Sequence, residues 1–452
     1  MFSNSPQYEA RLRKPFRPPN ITMKQIHDAV PKHLLEKDPV RSSAFIVRDI
    51  LLCTLFFVCA TYIGPAARTG LWGLIPITVV WQVQTLKAFL WLSYWWWQGL
   101  VFTSFFCIGG SAQNYSKKTK TKKLIWSSAS VHFQPTSLAI TRYTTTAGAF
   151  QLQFILVPFF AWKHSHNAHH KAVGCLERDE NYVPYVRSDF KLPPQARARS
   201  ADYAEVFDDT PIMTLGKLLV MQSCGWWLYL SSNAMGNKDL YPDGTNLMSP
   251  LSPVYKKEQR LSIFISDIAL VVMSSILYRL TSIYGWQAFV AYYFIPYMLC
   301  NHWIVLCTFL HHSDPTLPHY RKEEWTWVRG AIATVDRPVL GWIGRFFFHN
   351  VSHDHIAHHL FSHAPFYNQP QITEVLRSVL MEDYNYDPTN SLYALYRSFT
   401  ECVFIEDEGN IVFYKNADGV AARAVAEDSV KSVPDMEMPT LSSLSSQASV
   451  QK

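Results

Sequence analysis

Charge is scarce in this chain. Asp, Glu, Lys and Arg make up 17% of its 452 residues, against about 25% in an ordinary soluble domain. A chain of this length allows two or three soluble domains, or one membrane domain with soluble flanks, and the shortage favours the second. Cysteine pairing is missing as well. None of Cys53, Cys59, Cys107, Cys175, Cys224, Cys300, Cys307 and Cys402 forms C-x-x-C, and five lie in or near apolar stretches. That argues against a zinc knuckle or a disulfide framework and predicts reduced thiols facing lipid or core. No short apolar run follows Met1, so no cleavable signal peptide is expected. Val450-Gln451-Lys452 is neither K-D-E-L nor C-a-a-X. The net charge of +6 is modest and its basic residues cluster near apolar runs. This suggests orientation at a membrane and argues against a nucleic-acid partner.

Histidine, by contrast, is patterned. His166, His169 and His170 spell H-x-x-H-H, and so do His355, His358 and His359. At this histidine content chance gives only about 0.02 such triplets per chain. On a helix, spacings of three and four put the imidazoles of each copy on one face, about 5–6 Å apart. Imidazole is a ligand of Zn, Cu, Fe and Ni. Two clusters facing each other offer room for two metal ions.

Along the chain, residues 1–43 read as a polar arm with Pro15, Pro18 and Pro19. Spans are expected at about 44–66, 88–108, 261–284 and 289–310, each near the 20 residues a bilayer needs. Residues 71–83 read as re-entrant or interfacial, and 213–235 as an amphipathic interfacial helix. Segment 110–152 differs from its flanks in being rich in Ser, Thr and Lys, with the basic run Lys117–Lys123. That run marks its side of the second span as cytoplasmic. Residues 416–452 end in a serine-rich stretch expected to be disordered. The fold class is therefore all-α: a multi-pass membrane protein of four transmembrane helices under a cytosolic helical cap. Four crossings with cytoplasmic termini put both triplets on one side of the membrane.

Neutral imidazoles bind Fe(II) without adding charge, which leaves the metals cationic and open to oxygen. A site beside the bilayer suits an alkyl chain already in lipid. The expected ligands are His166, His169, His170, His355, His358 and His359, with His312 at the end of the last span as a supplement. A single triplet reads equally as a solvated helix face; two copies beside spans favour the metal reading. His164, His349, His353 and His363 flank the triplets and read as supporting or solvated residues. His302, inside a span beside Asn301, reads equally as a satisfied core histidine. Asp179 and Asp354 are candidates to orient imidazoles.

Trp162–His170 (W-K-H-S-H-N-A-H-H) and His353–Ser362 (H-D-H-I-A-H-H-L-F-S) resemble the membrane-bound fatty acyl desaturases. So do Phe309–Tyr320, Arg329-Gly330-Ala331 and Thr334-Val335-Asp336-Arg337. The subgroup they resemble is the Δ12 (oleate) type, fungal members in particular, over about residues 40–415. The resemblance implies two iron ions in the cap, O2 as cosubstrate and an acyl lipid in the membrane. Its implied product is a double bond at Δ12 of an oleoyl chain; related proteins hydroxylate, or make triple or conjugated bonds. It also implies the endoplasmic reticulum, with cytochrome b5 and its NADH-dependent reductase as electron donors. No haem-binding H-P-G-G occurs here, so cytochrome b5 would be a separate protein.

One departure stands out. The family's first box, H-x-x-x-H, follows its second span. Here that helix ends Cys107-Ile108-Gly109, and only His132 lies between there and Val157. Either segment 110–152 comes from a misassembled gene, or the protein is a divergent, catalytically impaired member.

Overall fold

The computed structural model describes residues 3–112 and 150–427. Most of the atypical segment and most of the expected C-terminal tail lie outside the described residues. Long helices dominate. We label them α1 (Pro39–Thr61), α2 (Val80–Ala112), α3 (Phe159–Ala172), α4 (Pro211–Ser232), α5 (Lys257–Tyr284) and α6 (Trp286–His312). The cap adds α7 (His355–Leu360), α8 (Gln369–Leu380) and α9 (Ser391–Glu401).

Local chemistry sets several starts. Asp38 accepts from the N–H groups of Val40 and Arg41, and Pro39 follows at a position where its missing N–H costs nothing. Thr210 and Pro211 repeat the device at α4. These caps start α1 five residues before the expected Ala44, because the apolar run alone does not reveal where the backbone turns.

Among the described residues α1, α5 and α6 are long and apolar enough to cross a membrane. The expected span 88–108 lies inside α2, which is about 50 Å long at 1.5 Å per residue. α2 is not in that set, since its tryptophans and Gln98 hold its hydropathy down. Its C-terminal half is instead core: Leu100 to Phe106 are all buried. α6 packs along α2 and α4. Gly99 makes the first contact possible, because a Cβ there would lie 2.7 Å from Leu299 Cβ. A π-helical turn at Val290–Phe294 interrupts α6, and the carbonyls of Ala291 and Tyr292 accept from Trp95 and Tyr94 of α2. The outer face of α5 is apolar and exposed, from Leu261 through Val272, as a lipid-facing surface is.

The cap is not purely helical. Pro318–Tyr320 (β1) pairs antiparallel with Ile411–Phe413 (β2), a small exception to the all-α expectation. The N-terminal arm is also less free than its composition suggests. Ser5 Oγ donates to Asp387 at 2.7 Å, and Arg11 reaches Thr316 and the Tyr386 carbonyl. Asp387 and Asp314 are fully buried and are joined by Arg337 at 2.6 Å each, with Arg397 on Asp387 at the same distance. Burial of such charges is tolerable only because each is paired. Phe16 bridges to Val425, so the first part of the expected tail packs against the arm.

Candidate metal centre

Three segments carry imidazoles to one place. α3 brings the first triplet and α7 the second, each on one helical face as the spacing predicts. The C-terminal turn of α6 adds His312. The triplets do not stay together as units. His166 and His170 group with His358, while His169 groups with His312 and His359. In each group the available ligand atoms lie within 4.8 Å of one another. His355 joins the second group, with its Nε2 3.2 Å from that of His312 and 3.1 Å from that of His359. The Nε2 atoms of His166 and His170 are 3.0 Å apart. Two nitrogens about 2.1 Å from one ion, at about 90–110°, stand about 3.0–3.4 Å apart, so these spacings suit ligands sharing an ion. The two groups are neighbours: the rings of His170 and His359 stack with centroids 4.3 Å apart. All seven expected residues thus converge.

Burial disfavours the charged form of several of these rings. It lowers His166, His170, His355 and His359 well below the usual imidazole range, and neighbouring imidazoles push the same way. His358 is pushed down to about 4. Neutral nitrogens with free lone pairs are what a metal ion requires.

The supporting contacts are uneven. Asp179 lies 2.9 Å from His169 Nδ1 and accepts from the backbone N–H of Asn181, which orients the ring with Nε2 toward the group. Asp354 does not meet an imidazole. Its carboxylate pairs with Arg345 at 2.9 Å, because the residue lies at the entrance to α7 and faces away from the rings. Asp336 holds the helix itself: it accepts from Ile356 N–H at 2.8 Å in the first turn of α7, and from Tyr384. Burial pushes its carboxyl up to about 7. Twenty residues separate Asp336 from that turn, so no spacing rule finds it. Trp327 Nε1 donates to the His170 carbonyl at 3.0 Å. His311, fully buried, stacks on His355 at 4.1 Å and binds the Ser352 carbonyl; adjacency to His312 was its only signal. His164 binds Ser262 and Gln259, and His353 binds Ser352. His349 is taken up by Asp49 and Ser104. His302 rests against Trp303 in α6.

A family model described as fatty acid desaturase matches residues 131–390, which include both triplets. The chain belongs to this family. Two fungal relatives are an oleate hydroxylase of Claviceps purpurea and a Δ12 fatty acid desaturase of Mortierella isabellina. The first is 32% identical over 437 residues, 91% of this chain and 84% of the relative. The second is 33% identical over 405 residues, 88% and 91%. A Δ12 acyl-lipid conjugase of Impatiens balsamina is 32% identical over 403 residues, 89% and 92%. The chain is thus a membrane oxidoreductase of acyl lipids, close to the Δ12 desaturases.

An apolar cavity of about 70 Å³ opens beneath the imidazoles. Phe106 and Cys107 line it from α2, Trp162 from α3, and Trp303, Ile304 and Cys307 from α6, with His166, His311, His355 and His358 above. Trp162 stacks on His166 at 4.7 Å, which fixes that ring against the cavity wall. The walls are largely apolar, and the imidazoles stand at one end.

Proposed function

We propose that the protein desaturates an acyl chain, at Δ12 of an oleoyl lipid, with two iron ions held by the seven imidazoles. The observation that carries this reading is the pair of imidazole groups above an apolar cavity. His166, His170 and His358 would hold one ion; His169, His312, His359 and His355 the other. Their chemistry fits: imidazole Nε2 atoms stand at ligand spacing, 3.0–3.2 Å apart in the pairs His166–His170, His312–His355 and His355–His359. Iron bound there would, with O2 and two electrons, supply the oxidising power to remove hydrogen from an unactivated C–H bond. The chain's own part is to orient His169 through Asp179, hold α7 through Asp336, and keep water from the alkyl chain. Cytochrome b5 and its NADH-dependent reductase would deliver the electrons. The endoplasmic reticulum would be the membrane, with four crossings and the imidazoles on the cytosolic face.

Expression of the full chain in yeast tests this. New linoleate in the lipid profile supports it, and a purified protein with no bound iron counts against it. The Claviceps relative, an oleate hydroxylase, favours a second reading in which a hydroxyl group is installed; the same lipid analysis separates the two. The missing first box favours a third, an impaired catalyst. Replacing residues 110–149 with a short segment bearing H-x-x-x-H after Gly109 would then raise product by about tenfold or more, in line with the cost of losing metal support.

A further inference from the structure

One buried charge takes no part in the imidazole groups. Asp49 sits within α1 and is fully buried. A carboxylate at such a place is costly and usually has a task. Its Oδ2 lies 2.8 Å from His349 Nε2 and also accepts from Ser104 Oγ. Ser104 Oγ is itself 2.8 Å from the same ring nitrogen. Arg48 pairs with the other carboxylate oxygen at 2.7 Å. With a carboxylate opposite, His349 Nε2 carries the proton and donates it. Three elements therefore meet in one closed network: α1, α2 and the loop that leads into α7.

The loop is held in an uncommon shape. His349 and Asn350 both have positive φ, +49° and +67°, which side chains disfavour and which persists only where surroundings impose it. The restraint is passed on: Asn350 accepts from Arg345 at 3.1 Å, and its carbonyl accepts from Asp354 N–H at 2.9 Å, one residue before His355.

The network also sits where the cavity walls join. Thr103 and Cys107 beside Ser104 line one wall; Phe348 and Val351 beside His349 line the other. We infer that Ser104, His349 and Asp49 are positioning residues that pin the two walls at a fixed separation. The pin sets which carbon of the acyl chain lies against the imidazoles. This rests on the acyl-lipid reading above. It assigns the network a role in where the chain is modified, in addition to holding helices together.

The test uses the full chain expressed in yeast membranes, with Ser104→Ala and His349→Phe against the conservative Ser104→Thr and His349→Gln. Two quantities are read. One is the position of the new functional group along the chain, by mass spectrometry of derivatised fatty acids. The other is the alkylation rate of Cys107 and Cys307 by a small maleimide, by peptide mapping, which needs no turnover. S104A and H349F are expected to raise the share of misplaced product and the alkylation rates by about threefold or more, since small misplacements cost heavily at such sites. S104T and H349Q should stay near wild type. Lower yield with unchanged product positions and unchanged alkylation in S104A and H349F would overturn the pin and leave a purely structural network. Should the wild type make no product, the acyl reading fails, yet the alkylation contrast still decides the pin.

Discussion

The two imidazole groups are made of the same parts but are braced differently. The group of His169, His312 and His359 has a fourth ring, His355, within 3.2 Å and a carboxylate, Asp179, behind His169. The group of His166, His170 and His358 has three rings, an indole stacked on one of them and no carboxylate partner among the described residues. The cause lies in the chain path. The braced group draws on α3, α6 and α7, the other only on α3 and α7. The segment free to serve the weaker side is the end of α2, where Cys107 already lines the cavity. That is also where the family's first box is missing. A site assembled from distant segments depends on each of them, and here the dependence falls on one side.

The largest predicted effect breaks this asymmetry open. His358→Ala removes one ring of three and should eliminate iron from its group and product from the lipid profile. His355→Ala removes one ring of four and should weaken iron binding in its group without abolishing it. Iron analysis and product yield on the two variants check this. Equal losses would mean that the groups are not distinct. Asp179→Asn is the next step down. It keeps a hydrogen-bonding side chain beside His169 but removes the charge that fixes the ring's proton. Iron affinity should fall by about tenfold, confined to the braced group, as read by chelator competition. Equal loss from both groups would undo the assignment.

Much of the site was legible because helices turn local spacing into geometry. H-x-x-H-H on one face needs no tertiary information, and His312 joined from its place at the end of an apolar run. The grouping was not legible. His170 and His358 are 188 residues apart in the chain, by their numbers, and no periodicity relates them. Asp354 was misread for the same reason that Asp336 was passed over: proximity in sequence favoured the first, and folding favoured the second. The fold was legible where an apolar run was long, as in α1 and α5, though the Asp38 cap that starts α1 was not. It was less so in α2, whose Trp95 and Trp96 pack against α6. The buried pairs around Asp314, Arg337, Asp387 and Arg397 could not be foreseen, since a charged residue reads as surface until its partner is known.

The smallest predicted effect concerns the cap beside the braced group. His319 on β1 is buried with its Nε2 unpartnered among the described residues and its ring 5.0 Å from that of Tyr414. Burial pushes it down to about 4, and Asp179 only partly opposes this. The unfolded chain's histidine titrates near about 6.5. Above that value neither state binds the proton, and the folded state is at its full stability. Between about 6.5 and 4 the unfolded state binds a proton that the folded state refuses, so stability falls as pH falls, by up to about 3 kcal/mol in all. Below about 4 both states are protonated and this contribution falls no further. His319→Gln removes the titration. Its melting temperature should therefore decline less steeply than wild type from pH 6.5 to 4.5, by thermal unfolding in detergent. Parallel curves for the two proteins would show that His319 is protonated, or solvated, inside the folded cap, and that the brace around Asp179 is looser than its distances indicate.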